Sequence, residues 1–147
     1  MNADDFLTSP VVKLHRATVL LDRLADDYLR THHGIRYAPF LVLLMLGILG
    51  PTSQQRLAAN LDVSRASITQ RIGALATDGL VLVAPDPADS RAHRVELSAT
   101  GRDLLEQAWA GLSARQDGLD EGIDQAALVA QLDRLIANAT TVLGRSS

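Results

Sequence analysis

Between Ser64 and Arg71 the chain places short, hydrogen-bonding side chains at helical spacing: Ser64, Arg65, Ala66 and Ser67, then Thr69, Gln70 and Arg71. The apolar residues of this stretch, Ile68, Ile72 and Leu75, are four and three apart, which keeps them on one side of a helix. The opposite side carries two guanidinium groups, a carboxamide and hydroxyls. A carboxamide donates and accepts at once and matches the major-groove edge of adenine, and a guanidinium makes the same two-point contact with guanine. Gln70 is therefore the candidate for adenine, and Arg65 or Arg71 for guanine. Either arginine serves equally well on phosphate, which positions a protein without reading sequence. A second group lies at Asp89 and Arg91, at the end of the turn-forming run Pro85-Asp86-Pro87-Ala88-Asp89-Ser90. The minor groove is narrow and strongly negative and attracts arginine. A carboxylate two residues before Arg91 holds its guanidinium extended in advance; the plainer use of the same pair is a surface ion bridge.

Other chemistries lack their residues. Without cysteine there is no disulfide framework, thiolate metal site, cysteine nucleophile or cysteine redox sensor. The four histidines are His15, His32, His33 and His93, and the adjacent pair points in two directions on a helix, whereas a metal site needs three or four converging ligands. No metal and no cofactor is expected. No Gly-x-Ser-x-Gly, phosphate-loop or His-Glu-x-x-His pattern occurs, so no catalytic residue is assigned and no enzymatic activity is expected.

Placing an arginine-bearing helix and a turn against DNA requires elements that hold them clear of the body. Val12, Val19, Leu20, Leu24 and Tyr28 recur at helical spacing and predict a helix over 11–29, ended by His32-His33-Gly34. Pro39 suits the first turn of a second helix, 39–49, whose apolar run predicts burial on all sides. Thr52 to Gln55 resembles a capping box and opens a third helix, 53–60, burying Leu57 and Ala58. After the tight connection Leu61-Asp62-Val63, Ser64 caps a fourth helix running to about Asp78, and Gly79 ends it. Leu80 to Val83 and Arg94 to Leu97 predict two short strands of a β-hairpin. Ser98 caps a fifth helix bearing Leu104, Leu105, Ala108, Trp109 and Leu112, and Asp124 begins a sixth bearing Leu128, Leu132, Leu135, Ile136 and Leu143.

The expected fold is thus mainly α with a small β-hairpin wing: a winged helix-turn-helix over 51–101, flanked by N-terminal helices over 1–50 and C-terminal helices over 102–147. The first helix of the pair props the second against a major groove about 12 Å wide. Net charge is −3, but residues 51–102 hold six arginines against five acids, while the remainder holds eight bases and twelve acids. The middle is slightly positive inside an acidic chain, which permits DNA binding. The N-terminus is acidic and unlike a secretory signal, and the apolar run from Phe40 to Leu49 is shorter than the roughly 20 residues of a membrane span. No membrane association is expected, and the location is cytoplasmic.

The stretch from Thr52 to Leu105 resembles the MarR family of bacterial regulators. The resemblance rests on Leu57-Ala58 and Val63-Ser64, on Leu75 and Gly79-Leu80-Val81, and above all on Asp86-Pro87-Ala88-Asp89-Ser90-Arg91 followed by Val95-Glu96-Leu97-Ser98-Ala99-Thr100-Gly101. That family has an Asp-Pro-x-Asp-x-Arg wing and a Leu-Thr-x-x-Gly junction at this separation; Ser98 stands where threonine is common. A basic residue is frequent in the family where Gln70 stands here. The resemblance implies a regulator, most often a repressor, that binds double-stranded DNA at a palindromic site. It also implies small aromatic or phenolic effectors between the dimer helices and the DNA-binding lobe. By residue type, Tyr28, His32, Arg36, Phe40, Met45 and Trp109 are candidates for such a pocket, and core packing is the plainer role for Phe40, Met45 and Trp109. Val11, Val12, Leu128, Leu132, Leu135, Ile136 and Leu143 exceed the apolar needs of one winged domain and predict a homodimer. The competing expectation is a winged helix that binds protein and not DNA.

Overall fold

The fold is that of a computed structural model describing residues 2–147, the side chain of Ser90 excepted. In chain order the elements are α1 (Ala3–Leu7), α2 (Pro10–His33), α3 (Tyr37–Leu49), β1 (Thr52–Ser53), α4 (Gln54–Leu61), α5 (Arg65–Thr77), β2 (Val81–Asp86), β3 (Asp89–Leu97), α6 (Ala99–Ser113) and α7 (Gln125–Arg145). Two compact units result, one ending at Ala114 and one from Arg115 to Ser147. The mainly helical winged architecture is as expected, and several boundaries differ for physical reasons.

Helix α2 runs to His33, and Gly34 ends it in the left-handed conformation at φ 65° that glycine adopts without strain. Helix α3 begins at Tyr37, two residues before the start expected from Pro39, because its cap comes from another helix. The Asp26 carboxylate on α2 accepts the Tyr37 amide at 2.9 Å and the Arg36 Nε–H at 2.9 Å, satisfying an amide that the first helical turn leaves open. The hydrogen bond from Arg36 is the main reason the Asp26 carboxyl is held below the usual carboxylate range, with the Tyr37 amide second. Helix α3 is not buried on all sides: Phe40, Val42, Leu43 and Leu46 are buried, whereas Ile48 is 67% exposed.

Burial of the Tyr37 phenol, aided by its hydrogen bond to Asp22, pushes its pKa up to about 12. In the unfolded chain the same phenol ionises near 10. Its contribution to stability is therefore complete below pH 10 and is lost as pH rises through about 12. In an ultraviolet titration of the folded protein, a late tyrosinate step is expected that Tyr37→Phe removes. The absence of a late tyrosinate step in the wild type would contradict this environment.

Thr52 is not the cap of α4. It is buried and pairs with Val95, while Ser53 pairs with Arg94, so a short third strand adds to the hairpin in the order β1-β3-β2. A β-branched residue suits that position, and the cap passes to Ser53, whose Oγ accepts the Arg56 amide at 3.1 Å. The hairpin strands extend further than expected, Val81 pairing with Leu97 and the register shifting between Pro85 and Asp86. Val81 and Val95 face a core shared with Leu29, Phe40, Leu43, Leu57, Ile68, Ile72, Leu75 and Leu105. Ser98 caps α6 by accepting the Gly101 amide at 3.0 Å, and Asp124 caps α7 by accepting the Ala127 amide at 3.1 Å. Among the described residues no single helix is long and apolar enough to cross a membrane.

Candidate nucleic-acid interface

Helices α4 and α5 form the helix pair. The connection is fixed by Asp62, which adopts the left-handed conformation at φ 51°, uncommon for a residue with a side chain and tolerated best by Asn and Asp. The Val63 amide then donates to the Ala58 carbonyl at 3.0 Å, closing the end of α4. Ser64 opens α5, its Oγ accepting the Ser67 amide at 3.1 Å. Removing such a cap costs typically about 1 kcal/mol.

Helix α5 buries Ile68, Ile72 and Leu75, the stripe read from spacing. Of the residues assigned to DNA, Ser64, Arg65, Ala66, Thr69 and Gln70 are exposed, and Ser67 and Arg71 are half-buried. The helix contains no acidic residue, so its positive N-terminal end and two arginines act together toward an anionic partner. Ala66 and Thr69 are short and Gln70 reaches further, which lets a backbone approach base edges closely. Sequence reasoning missed Gln54. Its Oε1 accepts the Thr69 hydroxyl at 3.1 Å, fixing one exposed face of α5 to the start of α4. The bond spans fifteen residues, so spacing within one helix gives no sign of it.

The wing is closed by two side-chain turns in succession. Asp86 Oδ1 accepts the Ala88 amide at 2.9 Å, and Asp89 Oδ1 accepts the Arg91 amide at 3.0 Å. These are the local bonds by which aspartate stands in for a backbone turn. Among the described residues no salt bridge joins Asp89 to the Arg91 guanidinium, which is exposed. Asp89 thus sets the backbone from which Arg91 projects.

The six residues suggested for an effector pocket have different surroundings within one chain. Phe40 is 2% exposed in the core, and Met45 is half-buried against it. Arg36 is engaged by Asp26. The Tyr28 ring stacks on His32 with centroids 4.4 Å apart, and its hydroxyl lies where a side chain on Gly111 would stand. Trp109 alone of the six borders the open groove of about 470 Å³ between α3 and α6.

The sequence model of the MarR family matches residues 33–92, the helix pair and most of the wing. No curated protein gives a significant sequence match. Among solved structures, a cysteine-to-serine mutant of MarR from E. coli is 27% identical, with 90% of this chain and 96% of that chain covered at a TM-score of 0.73. The same kind of mutant complexed with operator DNA is 26% identical, covering 95% and 99% at a TM-score of 0.74. A MarR-family transcriptional regulator from a Rhodococcus species is 22% identical, covers 95% and 96% at a TM-score of 0.80, and shares the fold.

Proposed function

From the premise that residues 33–92 form a MarR-family winged helix-turn-helix, we propose that the chain is a homodimeric repressor. It recognises a palindromic duplex site and is released from it by a small aromatic or phenolic effector. DNA-binding regulation itself follows from the family and from the similar protein seen on operator DNA. The single observation that carries readout is α5: an acid-free helix whose apolar side is spent in the core and whose other side offers Arg65, Thr69 and Gln70 to solvent. The wing supplies Arg91 as a second reader. No catalytic role is assigned, and the place of action is the cytoplasm.

A gel shift on the DNA upstream of the chain's own gene, at two salt concentrations, tests this function. A sequence-specific shift that weakens with salt is expected, since each phosphate contact releases counterions. A winged helix that binds only protein gives no such shift. Gln70→Ala is expected to cost roughly 1–3 kcal/mol on the preferred site and to relax specificity at one position per half-site. Equal losses on specific and random DNA would assign Gln70 to the phosphate backbone instead.

Two helices support the dimer, one in each compact unit. On α2, Val11, Val12, Leu20 and Leu24 are at least 41% exposed. On α7, Leu128, Leu135, Ile136 and Leu143 are at least 45% exposed, and no residue of that helix is buried within one chain. Apolar surface on this scale marks an interface, and twofold symmetry doubles the DNA contact. Leu132→Asp combined with Leu135→Asp is expected to abolish the dimer, because each change places an unpaired charge in that interface. DNA affinity should fall with it although no DNA contact is altered. Sedimentation of the wild type as a monomer at micromolar concentration would refute the dimer.

A further inference from the structure

Thr69 uses its hydroxyl differently from four other helical threonines. Thr18, Thr77, Thr140 and Thr141 each donate to the carbonyl four residues back in their own helix, at 2.9 to 3.0 Å. That back-bond is the ordinary partner of a threonine within a helix and is one reason its side chain divides between two rotamers. The Thr69 hydroxyl donates instead to Gln54 Oε1, at 3.1 Å across the helix pair. A hydroxyl carries one proton, so this bond takes the place of one to the Arg65 carbonyl. Gln54 is half-buried at the first position of α4, and Thr69 is exposed on α5. The choice of Thr69 rotamer is therefore made by a residue of the other helix.

We propose that Thr69 reads the C5-methyl group of a thymine in each half-site, and that Gln54 is its positioning residue, holding the hydroxyl aside so that the methyl meets the base. The inference rests on the DNA-binding function proposed above and adds to it the base that is read and a residue of α4 that acts through Thr69. With its proton given to Gln54, Thr69 has nothing to donate to the acceptors of guanine, to N7 of adenine or to O4 of thymine. What it keeps is a methyl group, which suits the thymine methyl. Ala66 lies one turn earlier on the same exposed face of α5. Two methyl groups are thus neighbours in a stretch whose other exposed side chains, Arg65 and Gln70, are polar. The rival use of Thr69 is its oxygen, which still accepts a hydrogen bond from the amino group of adenine or cytosine.

The test uses the full chain on an operator obtained by selection from random duplexes, with each thymine replaced in turn by deoxyuridine, which removes the C5-methyl alone. In the wild type one thymine per half-site is expected to matter, its replacement weakening binding about fourfold, or about fifteenfold when both half-sites are changed. Thr69→Ser keeps the hydroxyl and loses the methyl, so its thymine-to-uracil affinity ratio should fall to about one. Gln54→Ala should lower the ratio likewise, because the freed hydroxyl returns to the Arg65 carbonyl. Gln54→Glu should preserve it: the carboxylate accepts the same proton, while its charge weakens both operators alike. Each readout is a ratio within one variant, so a reduced folded fraction cancels. Specific binding by the wild type with no thymine effect would overturn the methyl reading and leave the regulator intact. A thymine effect that survives Thr69→Ser assigns the methyl to another residue, and one lost in Thr69→Ser but unchanged in Gln54→Ala removes Gln54 as the positioning residue; either overturns the proposal. A wild type without sequence-specific binding refutes the function and this inference together.

Discussion

Gly101→Ala is expected to destabilise the protein by about 3 kcal/mol, the scale of a severe overpacking change. Gly101 sits in the first turn of α6, and its backbone φ is not in the left-handed region. Alanine is otherwise the better helix former by about 1 kcal/mol, so the sign is decided by space alone. A methyl group there falls on the carbonyl oxygen of Leu80 and lies 2.9 Å from its carbonyl carbon. Both are backbone atoms that no rotamer change moves aside. That carbonyl also accepts the Ser98 amide at 3.1 Å, and the Ser98 hydroxyl donates to the Gly79 carbonyl at 2.6 Å. Shifting α6 outward therefore breaks the junction joining the end of α5, the start of β2 and the cap of α6. Gly73→Ala provides the control: it lies within α5 with nothing within 4 Å of the added methyl and should raise stability by roughly 0.5–1 kcal/mol. Thermal melts should show Gly101→Ala lower by on the order of 10 °C and Gly73→Ala slightly higher. Unchanged stability in Gly101→Ala would mean that α6 does not pack so closely on Leu80.

The same junction shows what was legible beforehand. Ser64, Ser98 and Asp124 were readable as caps because capping is local: the acceptor and the amide it satisfies are three residues apart. The stripe Ile68, Ile72 and Leu75 was readable for the same reason, since its spacing lies within one helix. The start of α3 was not. Its cap is Asp26, eleven residues before the amide it accepts, and only the packing of α2 on α3 brings them together. Thr52 misled because its hydroxyl fits a cap, while its partner in the sheet, Val95, is remote in sequence. Helix α1 and the α3/α6 groove were missed too: the first is five residues long, and the second depends on Gly47 facing Leu105 across two helices. For the wing, spacing suggested that Asp89 holds the Arg91 guanidinium, whereas the carboxylate accepts the Arg91 backbone amide.

Arg91→Ala is expected to leave folding intact and to weaken operator binding by about 3 kcal/mol per dimer, roughly a hundredfold. With two wings in the proposed dimer, the salt dependence should flatten by about two counterions. Arg91 is exposed, and its guanidinium has no salt-bridge partner among the described residues, so its loss removes nothing from the core. Asp89 separates three accounts of the wing. If charge alone mattered, removing a carboxylate near DNA would tighten binding in both Asp89→Ala and Asp89→Asn. If the carboxylate served by pairing with the guanidinium, both changes would weaken binding alike. The structure has Asp89 Oδ1 accepting the Arg91 amide at 3.0 Å, a bond that the side-chain oxygen of asparagine can also accept. Asp89→Ala is therefore expected to weaken binding, because the turn that aims Arg91 is lost, while Asp89→Asn keeps the turn and binds at least as tightly as the wild type. Affinities measured by fluorescence anisotropy on one operator at fixed salt distinguish the three patterns. Equal weakening by alanine and asparagine would restore the ion-pair account, and tightening by both would leave the wing without a positioning acid. An unchanged affinity in Arg91→Ala would leave α5 as the sole reader of the site.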